Sequence, residues 1–327
     1  MDKKAVCLGE LLIDFVSTVS GVTLKDAPGF EKAPGGAPAN VAVGLAKLGI
    51  DTHFIGKVGR DAFGEFLREV LEKNGVNTRF LFSTEKAKTT LAFVSLTQEG
   101  ERDFVFYRDP GADMLLDQRE IGEECFQGKG VFHFGSITMT HEPAYSATMR
   151  AISLAKKYGY LLSFDPNLRP ALWRDLEEAR FRMRQALKSV DILKVNEEEA
   201  RFLAGTSDLE RALKFLSQNF SLALIALTLG KRGCLIVHGD NRLEMEGFSV
   251  ATVDTTGAGD GFVAGLLSSL YMFWEDLRER KEIPESAIAH AARRANAVGA
   301  LTTTKKGAIP ALPTSEEVEI FLKEHPL

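Results

Sequence analysis

Three cysteines in 327 residues, Cys7, Cys125 and Cys234, are too few and too scattered for a disulfide framework. They fit buried thiols in a reducing compartment. No Cys-x-x-Cys or His-Glu-x-x-His occurs, and the six His are dispersed, so the common zinc signatures are missing. The chain has no Gly-x4-Gly-Lys-Ser/Thr, which removes the P-loop, and no Gly-x-Gly-x-x-Gly, which argues against a Rossmann dehydrogenase. No apolar run is long enough to span a bilayer. Glu10 and Asp14 interrupt the first apolar stretch, so the N-terminus does not read as a signal peptide, and a cytoplasmic location is expected. Positive charge is not in excess. Lys and Arg total 40 against 45 Asp and Glu, and the net charge of −5 offers no footprint for nucleic acid or an anionic membrane.

What is present is an ordinary globular composition, 45% hydrophobic and 26% charged, in a chain long enough to bury a large core. Short apolar strands are expected at 130–134, 161–165, 192–195, 222–228 and 234–238. Amphipathic helices are expected at 142–158, 176–189, 197–204 and 209–218. That alternation predicts an α/β fold with a mostly parallel sheet wrapped by helices. Upstream, Ala5–Leu8 reads as the first strand, continuing through Leu11–Val16. Residues 41–48 read as a helix, 53–58 as a strand and 62–73 as a helix. Two pieces, residues 11–33 and 89–110, are β-rich and break the pattern. The second reads as a hairpin joined by Gln98-Glu-Gly-Glu101, with Phe104, Phe106 and Tyr107 read as core residues of the sheet it forms ahead of the alternative that they face a partner's sheet.

The chemistry concentrates in Asp254-Thr-Thr-Gly-Ala-Gly-Asp260, a Gly-rich turn opening into the apolar run 261–270. Free N–H groups of such a turn, with the helix dipole behind them, form an anion hole. Asp260 beside that hole would repel a bound anion, but it makes sense as a base that deprotonates a hydroxyl while the hole holds a transferring phosphoryl group. The plain alternative is an Asp capping a helix. A second segment, Pro34-Gly-Gly-Ala-Pro-Ala-Asn40, has two glycines that allow close backbone approach to a ligand and an Asn with both a donor and an acceptor.

Together these two segments resemble the paired signatures of the ribokinase-like (PfkB) carbohydrate kinases. The resemblance narrows to the fructokinase subgroup through Glu31–Val43, Tyr107-Arg108, Pro110-Gly-Ala-Asp-Met-Leu-Leu116 and Phe164-Asp-Pro-Asn-Leu-Arg169 with Leu172-Trp173. Fructokinases commonly carry Asn where this chain has Asp109 and Ser where it has Gly261. Neither change touches the base or the anion-hole glycines. The extra carboxylate of Asp109 disfavours an anionic acceptor.

The resemblance implies a single kinase domain over 1–327. Its three-layer α/β/α core would be covered by a small β-sheet lid from residues 11–33 and 89–110, through which a homodimer could form. It implies ATP-dependent phosphorylation of a sugar, D-fructose first. 2-Keto-3-deoxygluconate, ribose and nucleosides are the alternatives, and a non-catalytic sugar sensor is disfavoured because the base and glycines are intact. Asp260 becomes the base, and the amides of Gly257, Ala258 and Gly259 the anion hole. Asp14, Gly35, Gly36, Asn40, Arg108, Asp165 and Arg169 are assigned to the sugar. The plain readings are a strand-end Asp for Asp14, a surface ion pair for Arg108 and a turn for Asp165-Pro-Asn167.

Asn167, Asn196, Thr228, Gly230, Gly233 and Asn296 are assigned to ATP. Residues 228–233 alone read as a hairpin turn, and the small residues around Asn296 suit either an adenine or close helix packing. Glu199 would position magnesium through water, although Glu in a first helical turn is also the ordinary dipole-favoured choice. Carbonyls near Asp254, Thr256 and Gly307 would hold a potassium-like ion.

Overall fold

The computed structural model describes residues 3–96, 102–280 and 282–326. The first half contains β1 (Lys3–Leu8), β2 (Leu12–Ser17), β3 (Phe30–Gly35), α1 (Ala37–Lys47), β4 (Thr52–Gly59), α2 (Ala62–Lys73) and β5 (Val76–Thr84). Next come β6 (Leu91–Leu96), β7 (Arg102–Tyr107), β8 (Lys129–Phe134), α3 (Ala144–Lys157), β9 (Leu161–Phe164) and α4 (Leu176–Leu187). β10 (Ile192–Asn196), α5 (Glu197–Ala204), α6 (Leu209–Asn219), β11 (Leu224–Thr228), β12 (Gly233–His238) and β13 (Asn241–Glu246) follow. The chain closes with α7 (Ala258–Leu270), α8 (Trp274–Arg278), α9 (Glu285–Thr302) and α10 (Ser315–Glu324).

One sheet runs β13-β12-β11-β10-β9-β8-β1-β4-β5, parallel except where β12 meets β11 and β13. Alternate strand residues feed two separate apolar cores. Ala5, Cys7, Val131, Leu161 and Ile192 join α1, α7 and α9 on one face. Val6, Leu8, Phe132, Phe134, Leu162 and Leu193 join α3, α4, α5 and α6 on the other. Burial of both faces explains why these strands read as continuous apolar runs. Helices thus cover both faces, giving the three layers expected of a ribokinase-like core. No helix among the described residues is long and apolar enough to cross a membrane.

A separate sheet runs β3-β2-β6-β7. Its β2 pairs antiparallel with β3 and parallel with β6, so two distant chain segments build it. Asp61 caps α2 through the Phe63 and Gly64 amides and also accepts from the Thr89 amide and hydroxyl, which pins the start of the second segment.

Two expectations need correction, and two strands had no expectation at all. Residues 11–16 do not prolong the first strand; Gly9 and Glu10 break it, and β2 belongs to the small sheet. β5 and β13 were not anticipated. β5 alternates buried and exposed residues only at its start, and β13 is a mostly exposed edge strand rich in charge. Tyr107 is not a core residue. It is 64% exposed, with its ring edge-on to Phe93. β6 and β7 do pair antiparallel, but the connecting residues 98–101 and the Phe104 side chain lie outside what the structure describes.

Candidate active site

Parallel strands of an open α/β sheet present their carboxyl ends to ligands. Here Glu10 follows β1, Asp165, Asn167 and Arg169 follow β9, Asn196 ends β10 and Thr228 ends β11. The start of α7 meets them. α7 is apolar all round, buried from Asp260 to Leu267, and packs against α1 and α9. Close approach is built in: a Cβ on Gly265 would lie 2.9 Å from Ala295 Cα, and one on Gly44 2.6 Å from Ala264 Cβ.

A carboxylate in the first turn of such a helix is costly unless something uses it. Asp260 is 7% exposed. Its Oδ2 accepts from Asn40 Nδ2 at 2.8 Å. Burial pushes its pKa up to about 6; the Asn40 bond and the nearby Lys194 and Arg169 charges pull it down, while Asp165 raises it. A base held near that value is ionised at neutral pH and still able to take a proton.

Lys194 interrupts an apolar strand, and strand alternation points it to the α7 face. Its Nζ bonds Asp165 Oδ2 at 2.8 Å and would lie 3.3 Å from a Cβ on Gly259. Burial opposes its charge, but Asp165, Glu199 and Asp260 outweigh burial and hold its pKa above the usual lysine value. Asp165 Oδ1 accepts from the Asn167 amide, which fixes Asn167 in the left-handed region at φ 43°.

Two cavities meet here. One, of about 550 Å³, is lined by Glu10, Asp14, Gly36, Asn40, Asp260 and small-sheet residues such as Val16, Val94 and Phe106. The other, of about 450 Å³, is lined by Lys194, Asn196, Glu198, Glu199 and Gly259. Asn167, Arg169, Thr255, Gly257 and Asp260 line both. The buried carboxylate therefore stands at the boundary of two adjoining chambers, with Arg169 on both and Lys194 on the second alone.

Both Gly35 and Gly36 are required by close packing, and of the two only Gly36 lines a cavity. Gly36 sits at φ 112°, and a Cβ there would lie 2.3 Å from the Glu10 carbonyl oxygen. One on Gly35 would lie 2.1 Å from Asp14 Oδ2. Gly257 starts α7 at φ 78°, and the Ala258 amide makes a 3.3 Å bond to the Thr255 carbonyl. The first-turn amides of α7 have no intrahelical acceptor.

Asp254, Thr256 and Gly307 come together. Asp254 Oδ1 accepts from the Thr256 amide and hydroxyl, and Oδ2 accepts from the Gly307 amide at 2.9 Å.

Other expected residues have partners within the protein. Arg108 is no surface residue. It is buried and donates to Asp113, Thr140 and the Ile137 carbonyl, outside the lining of either cavity. Asn296 donates to the Met245 and Glu246 carbonyls, tying α9 to β13. Thr228 Oγ1 donates to the Val195 carbonyl, while Gly230 and Gly233 have φ of 60° and 103° in the turn between β11 and β12. Glu199 closes a capping box with Asn196 and also accepts from the Leu168 amide at 3.0 Å. Burial raises its pKa.

Two residues on the chamber walls were not assigned to the site from the sequence. Lys194 and Glu10 are both charged residues inside apolar segments, which is itself the signal. Glu10 is 2% exposed; its Oε1 accepts from the Ala37 amide at 2.8 Å, and burial pushes its pKa up to about 7.

The pfkB family carbohydrate kinase signature matches residues 2–315. "Probable fructokinase-4" of Arabidopsis thaliana is 48% identical over 320 residues, covering 97% of this chain and 96% of that protein. The structure resembles a fructokinase with bound ATP from Xylella fastidiosa, with TM-score 0.89, 35% identity and 99% coverage of both chains. It also resembles a Vibrio cholerae O395 fructokinase double mutant in its fructose, ADP and potassium ion bound form, with TM-score 0.86, 34% identity and 98% coverage of both. A whole-length family match thus coincides with a buried carboxylate between two chambers, and the chain belongs to the pfkB family of carbohydrate kinases.

Proposed function

We propose that this chain transfers the γ-phosphoryl group of ATP to the 6-hydroxyl of D-fructose, releasing fructose 6-phosphate and ADP. The observation that carries it is the position of Asp260, shared by both chambers. The sugar occupies the chamber of Asp14, Gly36 and Asn40 under the small sheet, and the nucleotide phosphates occupy the chamber of Lys194, Asn196 and Gly259. Asp260 takes the hydroxyl proton as the oxygen attacks the γ-phosphorus and the bond to the β-phosphate oxygen breaks. Lys194, Arg169 and the first-turn amides of α7 meet the charge of the transferring group. A hydroxyl-rich wall that includes Asp14, Ser17, Thr18 and Ser95 suits a neutral sugar, in keeping with the fructokinase relatives, whereas Asp109, expected to repel an anionic acceptor, is exposed and lines neither chamber.

Magnesium, brought with the nucleotide, neutralises phosphate charge. Glu198 and Glu199 on the chamber wall fit it through water, since this ion keeps much of its hydration. The bond from the Gly307 amide to Asp254 ties together the two loops whose backbone carbonyls would hold a potassium-like ion. The small sheet acts as a lid, excluding water from the transfer. Its exposed Val105 and Tyr107 suit pairing with a second copy. Three buried free thiols fit a reducing, cytoplasmic setting.

The test is ADP release over fructose, ribose, glucose, 2-keto-3-deoxygluconate and fructose 6-phosphate. The highest kcat/KM is expected for fructose. Preference for the keto-deoxy acid would overturn the choice of sugar, and no ADP release with any of the five would overturn the activity.

A further inference from the structure

Glu10 has two carboxyl oxygens in different situations. Oε1 holds the amide of Ala37, the first residue of α1, whose own N-cap residue, Gly36, provides no side-chain cap. Oε2 is buried without a hydrogen-bond partner. A second acceptor on the same cavity is in the same condition: Asn40 Oδ1 is buried and unpartnered, while its amide nitrogen serves Asp260. Unpaired buried acceptors carry the full desolvation penalty. Two of them on the wall of one chamber match a ligand that brings hydroxyl donors.

We infer that Glu10 is a specificity-determining residue of the sugar chamber, its Oε2 bonding a hydroxyl of the acceptor while Oε1 keeps the Gly35–Ala37 turn in place. This deepens the sugar-kinase reading and rests on it. The assignment needs Oε2 as an acceptor from a sugar hydroxyl, a role that an amide nitrogen in its place cannot fill. It also explains why an acid is kept in an otherwise apolar link between β1 and β2. A residue needed only to hold the Ala37 amide could be any acceptor of the same length.

Glu10→Gln separates the two roles, because the Gln carbonyl oxygen retains the bond to the Ala37 amide and only the Oε2 position changes. The expected result is a rise of ~10-fold or more in KM for fructose, with KM for ATP within twofold of wild type. Fructose should also give a smaller shift in Tm to the variant than to wild type, while Tm without sugar stays within about two degrees. A Glu10→Gln enzyme with unchanged KM and unchanged fructose-induced Tm shift overturns the assignment. Parallel rises in both KM values with a lowered Tm also overturn it, because they mark Glu10 as structural alone. Failure of the sugar-kinase reading shows separately: wild type itself would then neither turn over fructose nor be stabilised by it, and this assignment would fall too.

Discussion

Asn40 and Asp260 are 220 positions apart in the chain, yet Asn40 Nδ2 lies 2.8 Å from Asp260 Oδ2. The amide belongs to the first turns of α1 and the carboxylate to the first turn of α7, so the packing of two helix N-termini sets the geometry of the base. The bond favours the ionised carboxylate against the cost of its burial.

Asp260→Asn should lower kcat by ~10²–10⁴-fold with fructose binding largely kept. The same change should raise stability. A buried acid whose pKa is raised on folding stabilises fully below its unfolded value and loses that contribution as pH rises through about 6, so at pH 8 its ionised form burdens the fold. Removing the charge is expected to gain ~1–3 kcal/mol at pH 8. Thermal melts at pH 8 and pH 5 check the sign: the gain must shrink at the lower pH.

The rate itself should follow the ionised base. With Asp260 at about 6, kcat/KM should be level near pH 8 and fall about tenfold per unit well below pH 6. Asn40→Leu removes the donor that favours the carboxylate, so its acid limb should move to higher pH. An unmoved limb in a folded variant would mean that the limb reports some other group.

Lys194→Met removes a buried cation from beside Gly259 and from the field of Asp260. kcat should fall by ~10²-fold or more, and the acid limb should rise. KM for fructose should change little, because Lys194 lines only the second chamber. The change also strands Asp165, so Lys194→Arg is the companion variant and should recover part of kcat. An unshifted limb in both variants would remove Lys194 from the base's surroundings.

Asp254→Ala should release the loop that Gly307 closes and weaken activation by potassium. Rates in potassium chloride and in a tetramethylammonium salt give the activation ratio. An equal ratio of one for wild type would reject a monovalent ion at this junction.

How much the sequence disclosed depended on whether a residue's role was local. The α2 boundaries, 62–73, were readable because Asp61, the apolar positions 67 and 71 and Gly75 all lie within one short stretch. Residues 11–16 were misread because nothing local tells a strand that continues from one that leaves for another sheet. Asp260 and its glycines stood out through their spacing. Lys194 did not, since its meaning depends on Asp165, which reaches it only across the pairing of β9 with β10. Arg108 was noticed but its direction was not, because Asp113 and Thr140 converge on it only after folding.

The junction of α1 and α7 also bears on how the chain comes off the ribosome. Gly36 and Asn40 are made early, but Asp260 arrives some two hundred residues later, and its helix packs against α9, later still. The first chamber itself is closed only when residues 252–257, Asp260 and Lys306 join the early segments. A C-terminal deletion that removes α9 should therefore abolish phosphoryl transfer even though Asp14, Gly36, Asn40 and Asp260 all remain in the chain.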